Sequence, residues 1–384
     1  MIIMKNLINL KDKDNKDFNK LGLKKNILQV LSRLNYKKPL DVQDIIVPLA
    51  LKGKNVVFTS KTGSGKTLAY MLGYLGKINK KQSLQMIVLV PTRELCVQVG
   101  KEVKTVCDPL DINVGMLYGG RNVAGDYRTL MKKNQILVGT PGRLLLHVNE
   151  KKIRVGEVKY LVYDESDQMF DHGFYRSCAY LKQRVSKDAQ IILSSATITE
   201  KVKDFINQEI VDYELLEIGY LIPKNILQEK IYCDKLEKNS ILLNLFSKTK
   251  FKRAMIFCNT KLKSYNISEF FQTNGFNAKS LSSDLNQDER LKHLNLFKEG
   301  KIKLLVTTDV AARGIHIEDV DLVINYDVPT KNEFYIHRVG RTGRVDKNGY
   351  SLTLICPEDV KRFYRIEYLY DLEIVEIDKG DFED

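Results

Sequence analysis

The sequence predicts an α/β fold in two tandem domains, each a mostly parallel sheet with helices on both faces. Three observations lead there. At 384 residues the chain exceeds the usual ceiling for one hydrophobic core. Short apolar, β-branched runs alternate with segments of helical spacing, as parallel strands and their crossover helices do. The alternation pauses once, at "GYLIPKNILQ", Gly219 to Gln228, and then resumes.

Taken in order, "LKKNILQVLSRL" puts Leu23, Ile27, Leu31 and Leu34 on one face of an opening helix. Strands are expected at Val56 to Thr59, Met86 to Val90, Val114 to Tyr118, Ile136 to Val138, Tyr160 to Tyr163 and Ile191 to Ser194. The pause contains Pro223 and divides the chain into a first domain over 1–218, a linker over 219–228 and a second domain over 229–384. The second set of strands is expected at Ile231 to Cys233, Ala254 to Cys258, Ala278 to Leu281, Leu304 to Thr307, Leu322 to Asn325 and Ser351 to Cys356.

Composition narrows the class. With 43% hydrophobic and 28% charged residues the chain reads as a soluble globular protein. No apolar run approaches a membrane span, and "MIIMKNLINLKDKDNK" is too charged for a secretion signal, so a cytoplasmic protein is expected, nuclear or nucleolar if the source is eukaryotic. Six scattered cysteines without a C-x-x-C pair suggest buried free thiols in a reducing compartment and no metal site of their own. Sixty-one Lys and Arg against 48 Asp and Glu leave a formal charge of +13, which suits a polyanionic partner as well as a solvated basic surface.

Three segments carry chemistry. "SKTGSGKT", Ser60 to Thr67, follows a buried apolar run and opens a helical pattern, a geometry that points backbone N–H groups and a helix dipole at one anion. There Gly63 and Gly65 permit close approach, Lys66 can reach outer phosphates and the Thr67 hydroxyl can ligate magnesium. "YLVYDESDQMF" ends a strand in Asp164 and Glu165 at the carboxyl edge of the sheet, where ligands of open α/β sheets bind; alone, such carboxylates are as often helix caps. "YIHRVGRTGR" spaces Arg338, Arg341 and Arg344 three apart around glycines, a pattern that puts guanidinium groups on one side of a turn to meet phosphates.

At this point the chain resembles the DEAD-box ATP-dependent RNA helicases of helicase superfamily two, from Phe18 to about Cys356. The resemblance rests on "NYKKPLDVQ" ending at Gln43, "PTREL" from Pro91, Gly119 and Gly120, "TPGR" from Thr140 to Arg143, "SAT" from Ser195 to Thr197, "IFCNT", "QDER", "TTDVAARGI" and "HRVGRTGR", occurring in family order. Each match is weak; the ordered series is specific. It also explains why Ser60 stands where a general phosphate loop has glycine: the family loop reads Ala-x-Thr-Gly-x-Gly-Lys-Thr, with serine here for alanine.

The resemblance implies two RecA-like domains, ATP and magnesium as ligands, and an RNA-dependent ATPase working on single-stranded or short duplex RNA largely without regard to sequence, as a monomer, with RNP or adaptor proteins as partners. It implies that Thr62, Gly63, Ser64, Gly65 and Lys66 hold the phosphates, and that Thr67 and Asp164 hold magnesium. Glu165 would activate water, Gln43 would read the adenine and Phe18 would stack on it. Gly314 and the residue at His316 would lie among the nucleotide contacts. Arg341 and Arg344 would act as arginine fingers, and Ser195 and Thr197 would link hydrolysis to RNA through Asp167. RNA would be bound by Pro91, Arg93, Gly120, Thr140, Arg143, Arg290 and Thr308 through backbone contacts that carry little base information. Three departures stand out: Ser166 replaces alanine in the acidic motif, Ser282 and Ser283 replace the usual histidine and glycine, and His316 replaces a ribose-contacting aspartate. A nucleotide-gated RNA clamp with weak turnover is therefore the second reading, and a DNA helicase the third.

Overall fold

Among the described residues of the computed structural model, strands pair only in parallel and form two sheets. The described residues are 6–7, 16–60, 63–120, 122–218, 222, 225–282, 284–312, 317, 320–343 and 348–382. Chain contacts divide the molecule into two units, Met1–Gly219 and Tyr220–Asp384.

In the first unit the strands are β1 (Asn6–Leu7), β2 (Asn55–Thr59), β3 (Met86–Leu89), β4 (Val114–Leu117), β5 (Ile136–Gly139), β6 (Tyr160–Tyr163), β7 (Gln190–Ser195) and β8 (Tyr213–Glu217), in the spatial order β1-β8-β2-β7-β6-β3-β5-β4. The central strands are apolar without alternation because both faces are covered. Val56 and Phe58 enter one core with Val88 and Val138, while Val57 enters the other with Ile87, Leu89 and Leu161. Two of the helices start at a threonine cap. Thr92 accepts from the Leu95 N–H at the head of Arg93–Cys107, and Thr199 accepts from Val202 at the head of Glu200–Glu209.

Strand order sorts the motifs. The phosphate loop follows β2, the acidic motif follows β6, and Ser195 ends β7, which lies between them. "PTREL", "TPGR" and the glycine pair follow β3, β5 and β4, the adjacent strands of the other half. All stand at the carboxyl edge of the sheet.

In the second unit the strands are β9 (Ile226–Tyr232), β10 (Ala254–Cys258), β11 (Ala278–Leu281), β12 (Leu304–Thr308), β13 (Leu322–Asn325), β14 (Gly349–Ile355) and β15 (Val375–Glu376), in the order β11-β12-β10-β13-β14-β9-β15. Here too neighbouring residues enter opposite cores, Ile256 with Val306 and Ile324, and Phe257 with Leu305 and Val323.

The linker is shorter than expected. Residues 226–228 belong to β9, which pairs along its whole length with β14, from Ile226 beside Gly349 to Tyr232 beside Ile355. Its half-exposed Gln228, Glu229 and Lys230 hid the strand from an apolar reading. The exposed edge strand β15 and the largely half-exposed β8 carry no buried apolar run, and neither they nor the two-residue β1 are among the expected strands. Pro223 lies outside the described residues.

Candidate active site

In the first unit the phosphate loop joins β2 to the helix Lys66–Leu75. Gly63 and Gly65 have φ of 75° and 83°, the left-handed region that glycine enters without strain. Gly65 also has no room for a side chain: a Cβ there would lie 2.4 Å from Gln43 Nε2. Gln43 therefore lies directly on the loop, donating from Nε2 to the Gly65 carbonyl (3.2 Å) and accepting at Oε1 from the Leu40 N–H (2.9 Å). Lys66 Nζ donates to the Ser60 carbonyl (3.2 Å), and Ser60 and Ser64 share a hydroxyl hydrogen bond of 3.0 Å. Ser60 thus closes the loop on itself. Phe18, in a short 3-10 helix at Phe18–Leu21, is buried in the adjoining core. Thr62 lies outside the described residues.

The acidic motif makes the turn after β6. Asp164 is buried, and Ser194 Oγ donates to its Oδ1 (2.5 Å) while Tyr70 Oη donates to its Oδ2 (3.1 Å). Burial pushes the Tyr70 phenol well above its ordinary range, and the Asp164 carboxylate pushes it the same way, so the hydroxyl stays protonated and donating. Tyr70 lies one helical turn beyond Thr67, so its bond to Asp164 joins the helix after the phosphate loop to the acidic strand. Glu165 has φ 52° and ψ 52°, a strained conformation for a residue with a side chain and one concentrated at functional sites. Ser166 is fully buried, and its hydroxyl finds no hydrogen-bond partner among the described residues.

Asp167 ties this turn to β7. Its Oδ2 accepts from the Thr197 N–H (3.0 Å) and the Thr197 hydroxyl (2.9 Å), and its own N–H donates to Ser195 Oγ (3.3 Å). Ser195 Oγ donates to the Thr197 carbonyl (2.8 Å), and the Ser195 carbonyl accepts from the Ser60 N–H (3.2 Å). Loop, acidic motif and "SAT" segment form one hydrogen-bonded set.

On the other half of the same edge, Arg93 is exposed and its guanidinium lies over Gly120. A Cβ on Gly120, which has φ 82°, would overlap Arg93 Nη1 at 1.5 Å. Pro91 and Thr140 are buried, Thr140 at the N-cap of the helix Pro141–Asn149. Arg143 is turned inward: Nε donates to the fully buried Asp126 (2.6 Å), which also accepts from His147 Nε2 (2.7 Å). This nine-tenths buried side chain ties the helix that follows β5 to Asp126. Neither Asp126 nor His147 was singled out by sequence.

In the second unit the three-arginine reading needs correction. Arg338 is 1% exposed and grips Asp309 with two hydrogen bonds of 2.7 Å while Nη1 donates to the Asp327 carbonyl (2.7 Å) and Nη2 to Asn259 Oδ1 (3.1 Å). It locks the ends of β10, β12 and β13 together and presents no guanidinium to a ligand. Asp327 is buried, which works against its charge, but the Asn259 N–H and the Lys238 and Lys263 ammonium groups outweigh this and hold it below the usual carboxylate range. Arg341 is buried with Nε on the His337 carbonyl (3.2 Å). Arg290 Nη2 donates to the Ala311 carbonyl (2.9 Å), and the Thr308 hydroxyl accepts from the Ala311 N–H (3.3 Å). Ser283, Gly314, His316 and Arg344 lie outside the described residues. No helix among the described residues is long and apolar enough to cross a membrane, and all six cysteines are buried free thiols.

Residues 40–205 match the family model of the DEAD/DEAH box helicases, and residues 237–346 match that of the helicase conserved C-terminal domain. The chain is 33% identical over 365 residues to a probable ATP-dependent RNA helicase of Methanocaldococcus jannaschii, covering 95% of this chain and 98% of that one. It is 33% identical over 353 residues to the DEAD-box ATP-dependent RNA helicase CshA of Geobacillus kaustophilus, covering 91% and 76% respectively. Among solved structures it is similar to S. cerevisiae Dbp5 bound to RNA and ADP BeF3, with 29% identity, a TM-score of 0.85 and coverage of 96% and 97%. Two RecA-like domains carrying these motifs in this order are the helicase core, and the chain belongs to the DEAD-box family of ATP-dependent RNA helicases.

Proposed function

We propose that this enzyme is an RNA-dependent ATPase that separates short RNA duplexes or remodels RNA–protein complexes by ATP-driven closure of its two domains. The observation that carries the reading is the Asp167 set, in which one buried carboxylate connects the acidic turn to Ser195 and Thr197, and Ser195 connects to the phosphate loop. A change at the nucleotide can reach the rest of the sheet edge through it.

Thr62 to Thr67 would hold the phosphates, with Lys66 on the outer ones, and Gln43 and Phe18 would take the adenine. Magnesium fits the donor set: Thr67 and Asp164 offer hard oxygen atoms, and Tyr70, on the helix that carries Thr67, donates to Asp164. The bound ion would neutralise charge on the transferring phosphoryl group. Glu165 would orient and deprotonate the attacking water, held ready by its strained backbone. Arg341 and Arg344 would stabilise the phosphoryl charge as the domains close, and Gly314 and His316 would complete the nucleotide contacts. Arg93, Gly120, Pro91 and Thr140, with Arg290 and Thr308 from the second domain, would line the RNA path, and Arg143 would support it from beneath.

The related Dbp5 has been captured with RNA and ADP BeF3, and separately with Gle1. We extend RNA binding and an adaptor partner to this chain on that basis, and place it in the cytoplasm as a monomer. The test is strand displacement from a short RNA duplex. Displacement should require hydrolysable ATP. RNA binding that depends on nucleotide, with no displacement under any condition, would overturn the reading in favour of a clamp.

A further inference from the structure

The two hydroxyls on Asp164 come from residues that none of the sequence motifs includes. Tyr70 lies one helical turn beyond Thr67 and on the same face of the helix Lys66–Leu75, and it is fully buried. Ser194 is the residue of β7 just before Ser195 and is also fully buried. Tyr70 belongs to an apolar core and Ser194 is wholly enclosed, so each hydroxyl needs a partner, and each finds it on the same carboxylate.

An ionised carboxylate has about four acceptor sites, two on each oxygen. Ser194 Oγ and the Glu165 N–H both donate to Oδ1, at 2.5 and 3.1 Å, and Tyr70 Oη donates to Oδ2 at 3.1 Å. The site left is on Oδ2, the oxygen bonded by the Tyr70 hydroxyl. Rotation of the carboxylate would break all three bonds together inside the protein, where unmade hydrogen bonds are most costly.

We propose that Tyr70 and Ser194 are positioning residues for magnesium: they lock the Asp164 carboxylate so that Oδ2 alone takes the ion or one of its waters. This rests on the role proposed above for Asp164. Tyr70 holds Oδ2 across the sheet edge from the helix that carries Thr67 in its first turn. Ser194 fixes the opposite oxygen. Without the two hydroxyls the carboxylate is free to turn, and the ion loses a preorganised ligand although every direct ligand is still present.

The test is equilibrium binding of a fluorescent, non-hydrolysable ATP analogue to the full chain as magnesium chloride is titrated, for the wild type, Tyr70→Phe, Ser194→Ala, Ser194→Thr and Asp164→Asn. Loss of a residue that orients a metal ligand typically costs tenfold or more in metal affinity. Tyr70→Phe and Ser194→Ala should each raise the half-saturating magnesium concentration about tenfold, leave magnesium-free nucleotide affinity and RNA affinity unchanged, and shift thermal unfolding without magnesium only modestly. Ser194→Thr, which keeps the hydroxyl, should restore the wild-type midpoint. A merely structural role would lower all nucleotide binding alike, with or without magnesium, and that result overturns the proposal. If Asp164→Asn loses the magnesium response while Tyr70→Phe and Ser194→Ala keep it, the positioning role is wrong and the role of Asp164 stands. If Asp164→Asn keeps the wild-type response, both are wrong.

Discussion

Replacing Arg338 by methionine should destabilise the second domain far more than it disturbs any ligand. The side chain is 1% exposed and makes charge-assisted bonds at 2.7 Å to both oxygens of Asp309, with further bonds to the Asp327 carbonyl and Asn259. Methionine fills a similar volume but leaves the Asp309 carboxylate nearly buried without its countercharge. Breaking such a pair from one side costs about 3–5 kcal/mol. In a domain of this size each kcal/mol moves the unfolding midpoint by about 2–4 °C, so the second-domain transition should fall by about 6–20 °C. Differential scanning calorimetry without nucleotide reads this directly. Adding Asp309→Asn to Arg338→Met removes the stranded charge and should recover part of the loss. A single variant that unfolds within about 2 °C of wild type would show that Arg338 is not the structural hub described here, and would return it to the phosphate-binding candidates.

Three further outcomes are expected. Glu165→Gln should retain ATP and RNA binding while turnover falls at least about a hundredfold, because the variant cannot accept the water proton; near wild-type hydrolysis in the purified protein rules out the role. Ser166→Ala should stabilise the first domain by about 1 kcal/mol, since it removes a buried hydroxyl that has no partner among the described residues; a drop in its unfolding midpoint would mean that the hydroxyl is engaged. His316→Asp should lower the Michaelis constant for ATP by restoring a charged hydrogen bond worth roughly 1.5–3 kcal/mol. An unchanged Michaelis constant would place His316 away from the nucleotide.

The sequence showed the strand and helix alternation because central parallel strands are apolar on both faces, so Val56, Val57 and Phe58 announce themselves. It did not show where β9 begins, because Gln228 to Lys230 are polar and half exposed there. The phosphate loop and acidic motif were legible as local patterns, since a loop that binds phosphate must be built from adjacent residues. What those residues touch was not. Arg338 and Arg341 are three apart on one helical turn, and only the pairing with Asp309, distant in sequence, distinguishes a structural arginine from a candidate finger. Arg143 likewise turns inward because of Asp126, and Asp164 is gripped by hydroxyls from Tyr70 and Ser194 on two other elements. Each is a long-range contact between elements whose arrangement in space the sequence does not state.

The central claim is that ATP hydrolysis is coupled to RNA, and steady-state ATPase activity with and without single-stranded RNA tests it most directly. Turnover should be slow alone and rise at least about tenfold at saturating RNA, with the increase abolished in Thr197→Ala, which removes one of the two bonds from Thr197 to Asp167. Hydrolysis at the same rate with and without RNA, or no hydrolysis in either condition, would contradict the account.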